Sequence, residues 1–227
     1  MAFEAVLFDL DGTLLDTEEG ILKSVEYVVQ EKGGTPLGQD LLRTFIGPPI
    51  QQSFARTFNL DEGDANVWAA RFREVYRTEY LLYAKPYEGI FEVLDCLVEA
   101  GIMVGVATYK REDYAYRLLE SFGFTSYTPH IFGSDMQGKM TKADIIEKTV
   151  ASLGVLKEAC LMVGDTVHDA QGAYTSGMPF LGVTYGYGFS SENEDISYPC
   201  VGFVNSPQDI WGYCRHSLQT RKDQKEV

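Results

Sequence analysis

The chain has 227 residues, 45% of them hydrophobic and 23% charged, which suits one large globular domain or a core with a modest second unit. Its 33 acidic and 19 basic residues give a formal net charge of −14, which argues against nucleic acid or an anionic membrane surface as the main partner. The four cysteines are widely scattered, and no apolar run approaches the ~20 residues of a membrane span. We therefore expect a cytoplasmic protein, a monomer or a weak dimer, that binds neither nucleic acid nor membrane.

The first predicted strand, from Ala5 to Phe8, ends in a turn that carries two carboxylates. Its run of Val, Leu and Phe is typical of a buried parallel strand, and Gly12 lets the chain leave that strand in a tight turn. Asp9 therefore lies at the carboxyl end of the strand, with Asp11 two residues further on. Two carboxylates this close repel each other unless a cation or a shared proton lies between them.

The stretch 17–84 carries helical patterns and no strand signal. Acidic residues at its start favour a helix N-terminus, and apolar residues then recur at helical spacing. Three further helices are predicted, separated by breaks in the pattern: 41–45, 51–58 and 61–80. The whole stretch is best explained as an all-helical cap inserted after the first strand.

From Glu88 onward, apolar strands alternate with amphipathic helices. The predicted strands are 102–108, 131–134, 160–165, 180–183 and 201–204. This alternation predicts an α/β fold with a doubly wound, Rossmann-like parallel sheet. We expect 1–16 and 85–220 to form this core, 17–84 to form the helical cap, and 221–227 to be a disordered tail.

Polar residues follow three of the predicted strands, at the edge where an open parallel sheet binds ligands. Asp9 and Asp11 follow the first strand, Thr108 ends the next one, and Asp165 follows a later one, with Asp169 one helical turn beyond. We expect these carboxylates and the hydroxyl to converge. Converging carboxylates need a hard cation, and Mg²⁺ suits because it binds carboxylate oxygens, waters and substrate phosphate.

Four motifs in this order carry a family resemblance. They are Phe8-Asp9-Leu10-Asp11-Gly12-Thr13, then Thr108, then a lysine ahead of a helix, then Gly164-Asp165-Thr166-Val167-His168-Asp169. Lys142 fits the lysine motif best, and Lys139 competes with it. The chain resembles the haloacid dehalogenase superfamily, specifically its Mg²⁺-dependent phosphatases with a helical cap, and is similar to the phosphoglycolate-phosphatase group.

The resemblance implies a catalytic or metal-binding role for each carboxylate. Asp9 would attack the phosphorus and form an aspartyl-phosphate, and Asp11 would act as general acid and then general base. Asp9, the backbone carbonyl of Asp11, and Asp165 would hold Mg²⁺. Asp169 would bind the metal through water or hold one of its partners.

The resemblance also implies the phosphate-binding groups. The Thr108 hydroxyl and the backbone N–H groups of Leu10 and Asp11 would bind phosphate oxygens, and Lys142 would supply positive charge. The implied reaction is hydrolysis of a small phosphorylated metabolite, a phosphate monoester of the phosphoglycolate kind.

Tyr109 is a departure from the family pattern, because many relatives carry Asn or Ser there. With Lys110 beside it, we expect Tyr109 to shape the substrate entrance. The cap loop at Gly47 and Pro48 lies where such caps reach over the site, and Arg43 is a candidate contact for the distal group of a substrate.

Several other functions share these residues. A 5′-nucleotidase is one alternative, because Tyr109 and the Gly-Pro-Pro loop could flank a base. A mutase of the β-phosphoglucomutase type shares every core motif. A dehalogenase is disfavoured because it needs neither Mg²⁺ nor an acid at Asp11, and a phosphate-binding module without turnover is disfavoured because the catalytic residues are intact.

Overall fold

The structure is a computed structural model that describes residues 3–136, 138–190 and 197–225. The chain divides into two compact units, Met1–Leu15 with Pro86–Val227 and Asp16–Lys85. The first unit contains a six-stranded sheet and the second is helical. Among the described residues, no helix is long and apolar enough to cross a membrane.

Parallel strands form the main sheet. In chain order the described strands are β1 Ala5–Phe8, β2 Leu15–Asp16, β3 Lys85–Pro86, β4 Met103–Arg111, β5 Ile131–Ser134, β6 Cys160–Gly164, β7 Phe180–Val183 and β8 Gly202–Val204. The main sheet has the order β5-β4-β1-β6-β7-β8 with every neighbouring pair parallel, and β2 pairs separately with β3. The chain runs outward from β1 in both directions, so the predicted doubly wound α/β fold is confirmed.

The helical unit has its own aromatic core. Its helices are α1 Glu18–Glu31, α2 Gln39–Arg43, α3 Ile50–Phe58 and α4 Glu62–Val75, which continues as a π-helical turn over Tyr76–Tyr80. Phe54 is fully buried, and its ring centroid lies 5.2 Å from that of Phe45 and 5.5 Å from that of Trp68. Edge-to-face contacts of this kind bury large apolar area and stabilise the packing of α3 against α4.

Five α-helices of the described residues belong to the sheet-containing unit. They are α5 Ile90–Glu99, α6 Glu112–Ser121, α7 Lys142–Leu153, α8 Val167–Ser176 and α9 Pro207–Lys225. α7 begins with a capping box in which Thr141 and Asp144 satisfy each other's backbone N–H groups, and it ends at Gly154 in the left-handed conformation. The sequence predicts a helix from Thr141 to Leu153 with Gly154 as its C-cap, and the structure differs only in making Thr141 the N-cap.

Three elements extend beyond their expected ends. β4 continues three residues past Thr108. The helix predicted over 170–176 is α8, which begins at Val167 because Thr166 and Asp169 form a second capping box. The helix predicted from Pro207 to about Leu218 is α9, which runs to Lys225, into the tail expected to be disordered, because the stretch 213–225 contains no glycine or proline to end a helix. The rest of that tail, 226–227, lies outside the described residues.

β1 is the central strand of the sheet, and its position determines where the candidate site forms. All four of its residues are fully buried, as expected for a strand covered on both faces. Phe8 pairs with Val106 of β4 and with Val163 of β6. This register brings the carboxyl ends of three strands to the same edge of the sheet.

Candidate active site

A buried ion-pair cluster joins three of the predicted site residues. Lys142 Nζ lies 2.6 Å from Asp9 Oδ1 and 2.6 Å from Asp169 Oδ1, and the lysine is only 2% exposed. Burial opposes its charge, but Asp169 and Asp9 outweigh burial and raise the pKa of Lys142. The ammonium therefore stays charged and holds both carboxylates.

Lys142 is the first residue of α7, and the neighbouring helix α8 has a glycine where the lysine side chain passes. A Cβ on Gly172 would lie 2.5 Å from Lys142 Cγ, so only glycine permits this approach of α8. Lys139, the competing candidate, is exposed, and its backbone N–H donates to Asp135 at 2.9 Å. The geometry favours Lys142 as the motif lysine.

Asp165 is fully buried and is held by the loop that follows β7. The Tyr187 N–H donates to Asp165 Oδ2 at 2.7 Å, and the Thr13 hydroxyl lies 3.4 Å from Oδ1. A Cβ on Gly12 or on Gly186 would overlap atoms of Asp165. The glycines on both sides therefore allow backbone to approach this carboxylate closely.

Three carboxylates of this cluster could hold a metal ion. Carboxylate oxygens of Asp9, Asp165 and Asp169 lie within 4.8 Å of one another, and all three residues are buried. Burial raises the pKa of Asp9 to about 7, against the opposing charge of Lys142. Burial, together with the charges of Asp169 and Asp9, also raises the pKa of Asp165 well above its ordinary value. One ammonium does not neutralise three buried carboxylates, so the donor set fits a hard divalent cation such as Mg²⁺.

Asp11 lies beside this cluster and is paired with Lys110. Lys110 Nζ lies 2.8 Å from Oδ1 and 3.0 Å from Oδ2 of Asp11. The sequence predicts Lys110 at the substrate entrance, which stays a prediction, and the structure places its amine on the proposed acid/base. No sequence signal identifies this contact, because the pairing of β4 shifts between Ala107 and Arg111.

Thr108 and Tyr109 connect β4 to the other parts of the site. Thr108 is buried, and its hydroxyl accepts the Lys110 N–H at 3.1 Å. The Tyr109 hydroxyl accepts the Lys142 N–H at 3.0 Å, and its ring centroid lies 5.8 Å from that of His168. Tyr109 thus supports the start of α7, a contact that we did not predict from the sequence.

The remaining predicted site residues are three residues of the helical unit and two backbone N–H groups after β1. Arg43 pairs with Glu18 at 2.7 Å within the helical unit, and Gly47 and Pro48 lie in the turn after α2. Their part in substrate specificity stays a prediction, as does phosphate binding by the N–H groups of Leu10 and Asp11.

The fold and the site define a hydrolase of the α/β class with a carboxylate-rich centre at the strand ends. The family model described as haloacid dehalogenase-like hydrolase matches residues 6–183. The chain belongs to this family, and the predicted enzyme class, a phosphatase of the family, is confirmed.

Relatives and solved structures agree with this assignment. A 5′-nucleotidase from Pseudomonas aeruginosa is 39% identical over 197 residues, which cover 86% of this chain and 87% of the relative. A phosphoglycolate phosphatase from Agrobacterium fabrum is 36% identical over 187 residues, 80% of each chain. The crystal structure of a predicted phosphatase from Clostridium acetobutylicum has a TM-score of 0.85 and 34% identity, covering 95% of this chain and 100% of that one.

Proposed function

We propose that this protein is a Mg²⁺-dependent phosphatase that hydrolyses a small phosphate monoester through an aspartyl-phosphate on Asp9. One observation carries the proposal: the Asp9 carboxylate is buried, paired with Lys142 at 2.6 Å, and within 4.8 Å of the oxygens of Asp165 and Asp169. This arrangement surrounds a potential nucleophile with one fixed cation and two further metal-ligand candidates.

The donor set supports a single divalent metal. Asp9, Asp165 and the backbone carbonyl of Asp11 would hold it. Asp169 would bind the metal through water or hold one of its partners, because its Oδ1 contacts Lys142 and its Oδ2 accepts the Thr166 N–H at 3.0 Å. When bound, Mg²⁺ screens the nucleophile from the negative phosphate and stabilises charge on the transferring phosphoryl group.

The reaction has two half-reactions. In the first, a carboxylate oxygen of Asp9 bonds to phosphorus, the bond from phosphorus to the leaving oxygen breaks, and Asp11 gives its proton to that oxygen. In the second, water bonds to phosphorus, Asp11 takes a proton from the water, and the bond between phosphorus and Asp9 breaks. Phosphate is released, and both carboxyl groups return to their starting state.

Phosphate binding is assigned to groups that face the same edge of the sheet. The Thr108 hydroxyl, the N–H groups of Leu10 and Asp11, and Lys142 would bind phosphoryl oxygens and compensate the negative charge of substrate and protein. Thr108 is buried at the end of the apolar part of β4, which keeps its hydroxyl in a fixed place.

Two substrate classes have support. Similarity to the Pseudomonas aeruginosa 5′-nucleotidase supports nucleoside 5′-monophosphates as substrates of this chain. Similarity to the Agrobacterium fabrum phosphoglycolate phosphatase supports phosphoglycolate. The nucleotide is the first to test because the 5′-nucleotidase is more similar over a longer stretch. A cytoplasmic location suits both substrate classes, and the four cysteines, Cys96, Cys160, Cys200 and Cys214, are thiols, as expected in a reducing compartment.

The deciding experiment measures phosphate release from 5′-mononucleotides, phosphoglycolate and sugar phosphates, with Mg²⁺ and with EDTA. We expect activity only with Mg²⁺ and a loss of at least about 10³-fold in Asp9→Asn. Asp95→Asn, at an exposed aspartate whose Oδ1 accepts the Tyr127 hydroxyl, is the matched control and should keep full activity. Full activity in Asp9→Asn, or equal activity in EDTA, would contradict the proposal.

A further inference from the structure

Lys110 contacts two groups of the proposed catalytic site. Its Nζ lies 2.8 Å and 3.0 Å from the two carboxylate oxygens of Asp11, and its backbone N–H donates to the Thr108 hydroxyl at 3.1 Å. Its side chain is only 7% exposed. By comparison, Lys148 forms an ordinary surface ion pair with Glu112 and its side chain is 44% exposed. The Lys110 side chain is therefore largely shielded from water, whereas Asp11 stays 20% exposed, and the pair is more restricted than a surface ion pair.

The sheet determines where the Lys110 amine lies. β1 and β4 are neighbouring parallel strands, and Phe8 pairs with Val106. Asp11 follows β1 in the turn, while β4 continues to Arg111, with a shift in its pairing to β5 between Ala107 and Arg111. The amine therefore extends from the end of β4 toward the turn after the adjacent strand.

We propose that Lys110 is a positioning residue that holds the Asp11 carboxylate in place for the second half-reaction, the attack of water on phosphorylated Asp9. This inference rests on the proposed function above. In that step the water oxygen bonds to phosphorus, its proton goes to Asp11, and the bond from phosphorus to Asp9 breaks. Asp11 must face the water in one orientation for this proton transfer.

Contact with both oxygens suits this task better than contact with one. An ammonium held between the two oxygens fixes the direction in which the carboxylate points. An ionised carboxylate has about four acceptor positions, so Asp11 can hold the ammonium and still accept a proton from water. Lys110 therefore acts through Asp11 rather than on the substrate.

The test uses p-nitrophenyl phosphate with Mg²⁺, because nitrophenolate leaves without a proton and the first half-reaction then does not need Asp11. In Lys110→Met we expect kcat to fall about tenfold or more while kcat/KM stays within about threefold. Phosphorylated enzyme should accumulate, which gives a burst of nitrophenolate that approaches one per active site. Lys110→Arg should restore most of kcat, since a guanidinium also pairs with both oxygens of a carboxylate.

Lys148→Met is the matched control and should behave like the parent protein. An equal fall of kcat and kcat/KM in Lys110→Met would overturn the proposal, because it would place Lys110 in phosphate binding or in folding. Unchanged kcat, or a Lys110→Arg variant as slow as Lys110→Met, would overturn it as well. Asp9→Asn distinguishes failure of this inference from failure of the proposed function. If that variant keeps its activity, the proposed function itself fails.

Discussion

Lys142 and Asp9 form a buried ion pair in which Nζ lies 2.6 Å from Oδ1, and the same ammonium contacts Asp169 at 2.6 Å. The lysine therefore compensates the negative charge of two buried carboxylates, and burial raises the pKa of one of them, Asp9. Removing it would leave buried negative charge without its cation, and stability and catalysis should both depend on it.

Lys142→Met should be strongly destabilising. Breaking a buried ion pair by removing one partner costs about 3–5 kcal/mol, because the other partner stays buried without compensation. The measurement is the free energy of unfolding in urea at pH 8 with EDTA. Lys148→Met, in the surface pair with Glu112, should change that free energy by less than about 0.5 kcal/mol. Similar losses of unfolding free energy in the two variants would show that the buried ion pair stabilises the fold no more than the surface pair does.

Mg²⁺ should stabilise the folded protein through Asp165. At a free concentration of 100 times its Kd, a ligand that binds only the folded state adds about 2.7 kcal/mol to the free energy of unfolding. Asp165→Asn should remove most of this gain, since it replaces a buried carboxylate of the cluster. The thermal midpoint with Mg²⁺ and with EDTA is the readout. A full Mg²⁺ response in Asp165→Asn would place the metal elsewhere.

Gly12→Ala should damage the site as well as the turn. Gly12 has a φ of +84°, and a Cβ there would overlap the Asp165 carboxylate. Gly101 has a φ of +74°, but a Cβ there would meet no atom within 4 Å, so this position isolates the cost of the backbone conformation. Gly101→Ala should cost about 1–3 kcal/mol of stability and leave kcat unchanged. Gly12→Ala should cost more and also lower kcat; equal effects of the two substitutions would contradict the importance of the close approach.

Tyr109→Phe should loosen the start of α7. The Tyr109 hydroxyl accepts the Lys142 N–H at 3.0 Å, and the first N–H groups of a helix have no partner within the helix. Loss of this acceptor should cost about 1–3 kcal/mol in the free energy of unfolding. Tyr116→Phe, at an exposed tyrosine of α6, is the control and should be close to neutral. An unchanged free energy in Tyr109→Phe would show that the N–H finds another acceptor.

Two of the four cysteines should resist thiol reagents in the folded protein. Burial raises the pKa of Cys160 to about 11 and that of Cys214 to about 12. Only the thiolate reacts, and a raised pKa lowers the thiolate fraction at any pH below it, so both thiols should stay unreactive up to about pH 9. Timed alkylation followed by mass spectrometry should label Cys96 and Cys200 first, because both are partly exposed. Rapid labelling of Cys160 at pH 8 would contradict this order.

The sequence allowed the strand ends to be predicted, and with them much of the site. Apolar runs marked β1, β4 and β6, and a parallel sheet places their carboxyl ends together, so Asp9, Thr108 and Asp165 could be grouped without coordinates. The C-cap of α7 at Gly154 was predicted for the same local reason. These features depend on short-range patterns that a single sequence contains.

Side-chain pairing was harder to predict. The Lys110–Asp11 contact depends on the register of β1 against β4 and on β4 continuing past Thr108, and a single sequence specifies neither. The part of Tyr109 in shaping the substrate entrance stays a prediction, whereas the contact of its hydroxyl with the Lys142 backbone was not predicted. Contacts between segments distant in the chain require the tertiary structure, because no periodic pattern encodes them.

The position of β1 between β4 and β6 also has a consequence for the order in which the protein folds. Ala5 pairs with Met103 and with Cys160, so β1, which precedes both partner strands in the chain, gains its two neighbours only after long intervening segments have been synthesised. Loop closure over such distances slows folding, whereas the contacts within a helical unit are local and form sooner. Recovery of activity during refolding should therefore follow formation of the sheet rather than formation of helix.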